Sequence, residues 1–182
     1  RHQESDPLAG AHVQLGTLAV APDVLVIVGA GLGYLTEAAL SLVGNDPLVV
    51  DRLGRRVRLG SGRWVDLPGS FDGSELVVQR AGPQADCGWV GVGDELWCVG
   101  TDGIDERASI AGLRIGGGDI LAIAGDAAAL IRRGPTDVVQ FDWREQVIVR
   151  ERQVSVAGSS VLDVTATTDV IWIDDRSGDL VW

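Results

Sequence analysis

Gly29, Gly31 and Gly33 follow the apolar run Val24 to Val28, and Asp51 ends a second apolar run that begins at Pro47. That order suits a phosphate-binding turn. Glycines let a backbone approach a pyrophosphate, and an acid about 20 residues on accepts a hydrogen bond from a ribose hydroxyl. Methyltransferases that bind S-adenosylmethionine use a G-x-G-x-G loop of the same kind. An α/β nucleotide- or S-adenosylmethionine-binding protein built on Gly29, Gly31, Gly33 and Asp51 is therefore the alternative to weigh. Three features count against it. Tyr34 stands where the dinucleotide pattern wants its third glycine, Leu35 to Val43 is short for a crossover helix, and nothing after Asp51 alternates helix with strand.

Other chemistry-bearing residues are sparse or unfocused. His2 and His12 are the only histidines, which leaves little for a histidine triad or a zinc site. Asp174, Asp175 and Asp179 are hard oxygen ligands suited to calcium, but their spacing fits no standard loop. The carboxylates are numerous and no pair stands out, so a carbohydrate-active propeller enzyme is a second alternative without named residues. The six tryptophans (Trp64, Trp89, Trp97, Trp143, Trp172 and Trp182) lie in strand-like runs, where core packing is expected before sugar stacking. No catalytic, cofactor or metal residue is assigned.

Cys87 and Cys98 flank GWVGVGDELW. A hairpin turning between Gly91 and Asp94 sets them opposite each other on neighbouring strands, where they can pair. A disulfide is expected, chiefly in an exported chain. Two buried thiols are the other outcome, because a slipped register would part the sulfurs.

Composition narrows the class. The 182 residues suffice for one domain with a core, and 46% apolar residues with 25 glycines exclude a disordered chain and indicate many turns. A net charge of -11 opposes nucleic acid or an anionic membrane as partner. The longest stretches free of Asp, Glu and Arg, Pro7 to Pro22 and Val24 to Thr36, are too short to span a bilayer. With no Met and no signal-peptide pattern at its start, the chain is expected to be part of a longer protein.

A repeat organises the whole. DVLVIVG, DPLVVDR, DELWCVG, DILAIAG, DVVQFDW and DVIWIDD start at Asp23, Asp46, Asp94, Asp119, Asp137 and Asp169, and a weaker SELVVQR starts at Ser74. Alternate starts lie roughly 45 residues apart, the length of a four-stranded propeller blade. Each run is rich in Val, Ile, Leu and Trp and bounded by Gly, Asp or Pro, as strands are. Turns are expected at Asp51–Gly54, Asp102–Gly103 and Ser177–Gly178. The expected fold is all-β and β-propeller-like. Its one domain, residues 1–182, holds about four blade equivalents, 1–45, 46–93, 94–136 and 137–182. Gly29 to Gly33 then becomes a strand–strand turn.

GNDPLVVDRLGRRVRLGSGRWVDL, VVQRAGPQADCGWVGVGDELWCVG and GSSVLDVTATTDVIWIDDRSGDLVW resemble the propeller-like region of large actinobacterial cell-surface proteins that carry fibronectin type III or immunoglobulin-like repeats. The likeness covers Leu42 to Trp182. It is most specific at Val49 to Arg52, at Ala81 to Asp86 and from Gly158 on. It implies an exported, surface-held, non-enzymatic module that binds a protein or glycan partner or spaces other domains. Asp174, Ser177, Gly178 and Trp182 also resemble the repeat of quinone-dependent propeller dehydrogenases, which locks blades together and binds no cofactor itself. To close the ring, His12 to Val20 is expected to pair beside Asp169 to Trp182, or a neighbouring chain to cover that open edge.

Overall fold

ILAIA at 120–124 is apolar at every position, which suits a strand covered on both faces. In the computed structural model such strands are covered on both faces. The structure describes residues 24–28, 31–35, 37–132, 137–153, 162–168 and 170–175, with the backbone alone at 24–35 and 175. The glycine-rich start is a hairpin of β1 (Val24–Val28) and β2 (Gly31–Leu35). The first full sheet is β3 (Ala38–Val43), β4 (Asp46–Asp51), β5 (Arg56–Leu59) and β6 (Val65–Asp66). A 3-10 turn, Gly73–Glu75, leads to the second, β7 (Val77–Val78), β8 (Gly88–Val92), β9 (Glu95–Val99) and β10 (Ile104–Ser109). The third is β11 (Ile120–Ala124), β12 (Ala127–Arg132), β13 (Asp137–Asp142) and β14 (Val147–Gln153), and β15 (Leu162–Ala166) with β16 (Ile171–Asp175) forms the last hairpin.

Every sheet is an antiparallel meander in sequence order. The first strand of each sheet touches the first strand of the next, β3 to β7, β7 to β11 and β11 to β15. Sheets stacked in chain order with their first strands adjacent make the all-β, propeller-like arrangement. The segment after β7 ties three sheets together. Gly82 donates to the carbonyl of Leu42 and accepts from Gly44, while Arg80 donates to the carbonyl of Leu121. The buried Gln79 side chain accepts from the backbone of Trp89 at 2.8 Å.

The core lies between the sheets. Alternate residues of one strand serve neighbouring interfaces, because side chains in a strand point to opposite faces. Trp97 and Val99 join Leu48, Val50 and Val57 of the first sheet, while Leu96 and Cys98 join Leu121, Leu130 and Phe141 of the third. Ile120, Ala122, Ala129 and Ile131 then pack on Val164 and Ile173 of the last hairpin.

Two sequence expectations change here. Sheets begin at Ala38, Val77 and Ile120 and the last hairpin at Leu162, so the spacing of roughly 40 residues is that of blades, but the cuts at Asp46, Asp94 and Asp137 fall inside sheets. The Asp-led runs are strands of different rank: β4 is second in its sheet, β9 third and β11 first. The α/β alternative is overturned. Residues 38–43 form a strand, β1 and β2 pair with each other, and β4 lies between β3 and β5 with no parallel neighbour. Ser177, Gly178 and His12 to Val20, with the ring closure expected of them, lie outside the described residues.

Candidate functional site

The third sheet builds a groove from its own alternation. Ala128 and Leu130 of β12 and Val139 and Phe141 of β13 face the second sheet, so Ala127, Ala129, Val138 and Gln140 face the other way. A bulge between Gln140 and Phe141 resets the register of β14, so that Arg150 lies opposite Gln140 and Arg152 opposite Val138. Val170, Ile171 and Ile173 form the facing wall. The alanines leave room that larger residues would fill, and the resulting cavity is about 610 Å³. It has an apolar floor and a rim carrying amides and guanidinium groups, the usual composition of a binding groove.

Two arginines give this rim its charge. Arg56, Arg107, Arg132 and Arg144 are ion-paired with Asp51, Glu95, Glu151 and Asp126. Arg150 and Arg152 are exposed and make no ion pair with a described residue. Glu151 between them belongs to the opposite face, where Arg132 holds it at 2.8 Å while also donating to the carbonyl of Leu113. Two guanidinium groups with no ion-pair partner among the described residues thus share one strand face on a chain of net charge -11.

The residues of the nucleotide alternative are dispersed. Gly29 lies outside the described residues, and Gly31 and Gly33 sit in β2 opposite Val28 and Val26. Asp51 is buried at a β-turn, where it accepts from Arg56 Nε at 2.8 Å and from the Gly54 amide at 2.9 Å. Its carboxylate closes the turn over residues 52–55 and is not available to a ribose. Asp174 lies opposite Asp163 in the last hairpin, Asp179 and both histidines lie outside the described residues, and among the described residues no three metal-ligating groups cluster. Trp89 and Trp97 are core residues, Trp89 meeting Trp143 in a tilted ring contact with centroids 4.9 Å apart, whereas Trp172 is 49% exposed and Trp182 lies outside the described residues.

Cys87 and Cys98 stand at disulfide distance, with Cα atoms 5.4 Å apart. The hairpin turns one residue later than expected, at Gly93 and Asp94, because Gly93 takes the left-handed φ of 59° that such two-residue loops require. Trp89, and not Cys87, therefore faces Cys98, and the sulfurs meet across the diagonal.

Sequence reasoning overlooked Arg150 and Arg152, although VIVRERQ carried a signal. Arginines two apart with an acid between them share one face of a strand. Comparison with known family models and with curated proteins finds no match.

Proposed function

We propose that the chain is a non-enzymatic binding or spacing module of the cell exterior, and that its partner is a protein or a glycan. The observation that carries this is the apolar groove between the third sheet and the last hairpin, rimmed by Arg150 and Arg152, which make no ion pair with a described residue. Supporting it are the cysteines at disulfide distance, a pairing that persists in oxidising compartments, and the resemblance to actinobacterial surface proteins. The acidic net charge disfavours nucleic acid as partner.

Arrayed glycans and extracellular proteins, probed with the wild-type chain and with the Arg150→Glu/Arg152→Glu variant, test this reading. A ligand lost in the variant is the expected result. A thermal shift with NAD, FAD or S-adenosylmethionine that disappears in Gly31→Val would overturn it in favour of a nucleotide-binding protein.

A further inference from the structure

Asp72–Gly73 and Asp102–Gly103 are the same dipeptide in two different settings. In either, the glycine puts no side chain between its own amide and the preceding carboxyl group, so the backbone nitrogen can reach that group. Asp72–Gly73 is held shut. The Asp72 carboxyl caps the 3-10 turn, accepting from the Ser74 amide at 2.9 Å, and hydrogen bonds from the Ser74 backbone and then its side chain lower its pKa. Gly73 is wedged against the Arg52 carbonyl, where even a methyl group has no room. Asp102–Gly103 is open. It turns the chain between β9 and β10, where Gly100 donates to the Gly103 carbonyl at 2.9 Å. Asp102 is exposed, no atom lies within 4 Å of where a Gly103 side chain would stand, and the Gly103 amide donates to no described residue. The Asp102 carbonyl oxygen, in the same peptide group as that amide, accepts from Arg63 Nε at 2.7 Å. Arg63 comes from the first sheet's last turn, and its own amide is fixed on the Thr101 carbonyl at 3.0 Å.

We propose that the Asp102–Gly103 turn is a self-modification site, at which Arg63 promotes conversion of Asp102 to isoaspartate. The Gly103 nitrogen attacks Asp102 Cγ. A nitrogen–carbon bond forms, the Cγ–OH bond breaks, and the amide proton and the hydroxyl leave as water, giving a succinimide. Water then adds to the Asp102 main-chain carbonyl, and the bond from that carbon to the Gly103 nitrogen breaks. The chain now runs through Cγ, one atom longer, with a free α-carboxylate. One water leaves and one returns, so no oxidant, reductant or other reactant is needed. Arg63 serves both steps. As the attacking nitrogen gives up its proton, negative charge spreads onto the carbonyl oxygen of the same peptide group, where the guanidinium already donates. In the succinimide the same contact polarises the carbonyl whose opening yields isoaspartate, and the product carboxylate is then left beside a cation. The inference is independent of the groove.

The test incubates the full chain, folded and near neutral pH, and follows each dipeptide over time. After reduction, alkylation and tryptic digestion, Asp72 lies in the peptide Trp64–Arg80 and Asp102 in the peptide Ala81–Arg107. Isoaspartate leaves the mass unchanged, and electron-transfer fragmentation with reversed-phase separation tells it from aspartate. The expected result is accumulation at Asp102 at least about tenfold faster than at Asp72, since small displacements of reacting atoms cost at least that much in rate. In Arg63→Gln, shown folded by circular dichroism, conversion at Asp102 slows by at least about threefold, a discounted value for an exposed charge-assisted hydrogen bond. The comparison within the wild-type chain needs no variant, so it stands even if Arg63→Gln does not fold. Absence of isoaspartate at Asp102 overturns the proposal. Equal rates at the two positions overturn it too, by showing that the dipeptide alone sets the chemistry. An unchanged rate in the folded Arg63→Gln chain overturns the role of Arg63 and with it the site as proposed.

Discussion

Reducing the Cys87–Cys98 bond removes one cross-link without changing any side-chain volume greatly, so its cost can be worked out from loop length. The separation is 11 residues. For such a loop the chain-entropy relation gives roughly 2.8 kcal/mol at 25 °C. The core adds a second, separable quantity. Cys98 is buried among Leu96, Leu121 and Phe141 in the interface between the second and third sheets, with Cys87 packed against the same cluster. Truncating both cysteines to Ala empties two sulfur positions and adds about 1 kcal/mol to the loss. Urea unfolding followed by tryptophan fluorescence measures both quantities on three samples: oxidised, reduced, and Cys87→Ala/Cys98→Ala. The expected order of stability is oxidised, then reduced, then the double variant, with the larger gap between the first two. Two alkylatable thiols in the native, unreduced protein would refute the pairing. A reduced protein as stable as the oxidised one would refute the loop-entropy reasoning.

Asp51→Ala strips the turn after β4 of its bonds to Arg56 and to the Gly54 amide and is expected to lower stability by about 1 to 3 kcal/mol; an unchanged urea midpoint would refute the view that this acid is structural. Gly91→Ala places a Cβ 2.6 Å from Ile115 Cδ1, 2.8 Å from Leu96 Cδ2 and 3.1 Å from the Glu95 carbonyl oxygen, so overpacking should cost about 1 to 3 kcal/mol. A melting temperature at or above wild type would show that the second-to-third sheet interface yields more easily than its packing implies. Asp72 caps the 3-10 turn, and hydrogen bonds from the Ser74 backbone and then its side chain hold its carboxyl below the ordinary 3.8. A lowered folded value means that the cap contributes fully above about pH 3.8 and is lost as pH falls through the lower folded value. Carbon-13 titration of Asp72 should give a midpoint under 3.8, and a midpoint above it would contradict the capping geometry.

Strand character was legible from sequence because strands sandwiched between sheets are apolar on both faces. ILAIA, ELWCV and the VV of DPLVVD announce themselves as short apolar runs between turn residues. The repeat length was legible for the same reason. What those runs did not disclose was their rank in a sheet. A first, second or third strand meets the same two-sided environment, so the blade boundaries fell elsewhere. The outer strands β10 and β14, IDERAS and VIVRERQ, lie at sheet edges with most residues exposed; the first carries no apolar run and the second only the short VIV with no leading Asp, so they went unseen.

The cysteine pairing was partly determined by sequence. Eleven residues with a glycine turn bring the two together, but the φ of Gly93 decided the register and hence the diagonal contact. Likewise GAGLG fits both a phosphate loop and a hairpin turn, since a glycine's freedom of φ serves either. Pairing between β1 and β2 decided for the hairpin. Once 147–153 is known to be a strand, the period of two puts Arg150 and Arg152 on one face of it. That this face looks into a groove floored by Ala127, Ala129 and Val138, and opposite Ile171 and Ile173, depends on residues brought together only when the last hairpin stacks on the third sheet. Local spacing fixes which way a side chain points. What stands in front of it is set by contacts between segments far apart in the chain, and these were decided by the tertiary structure alone.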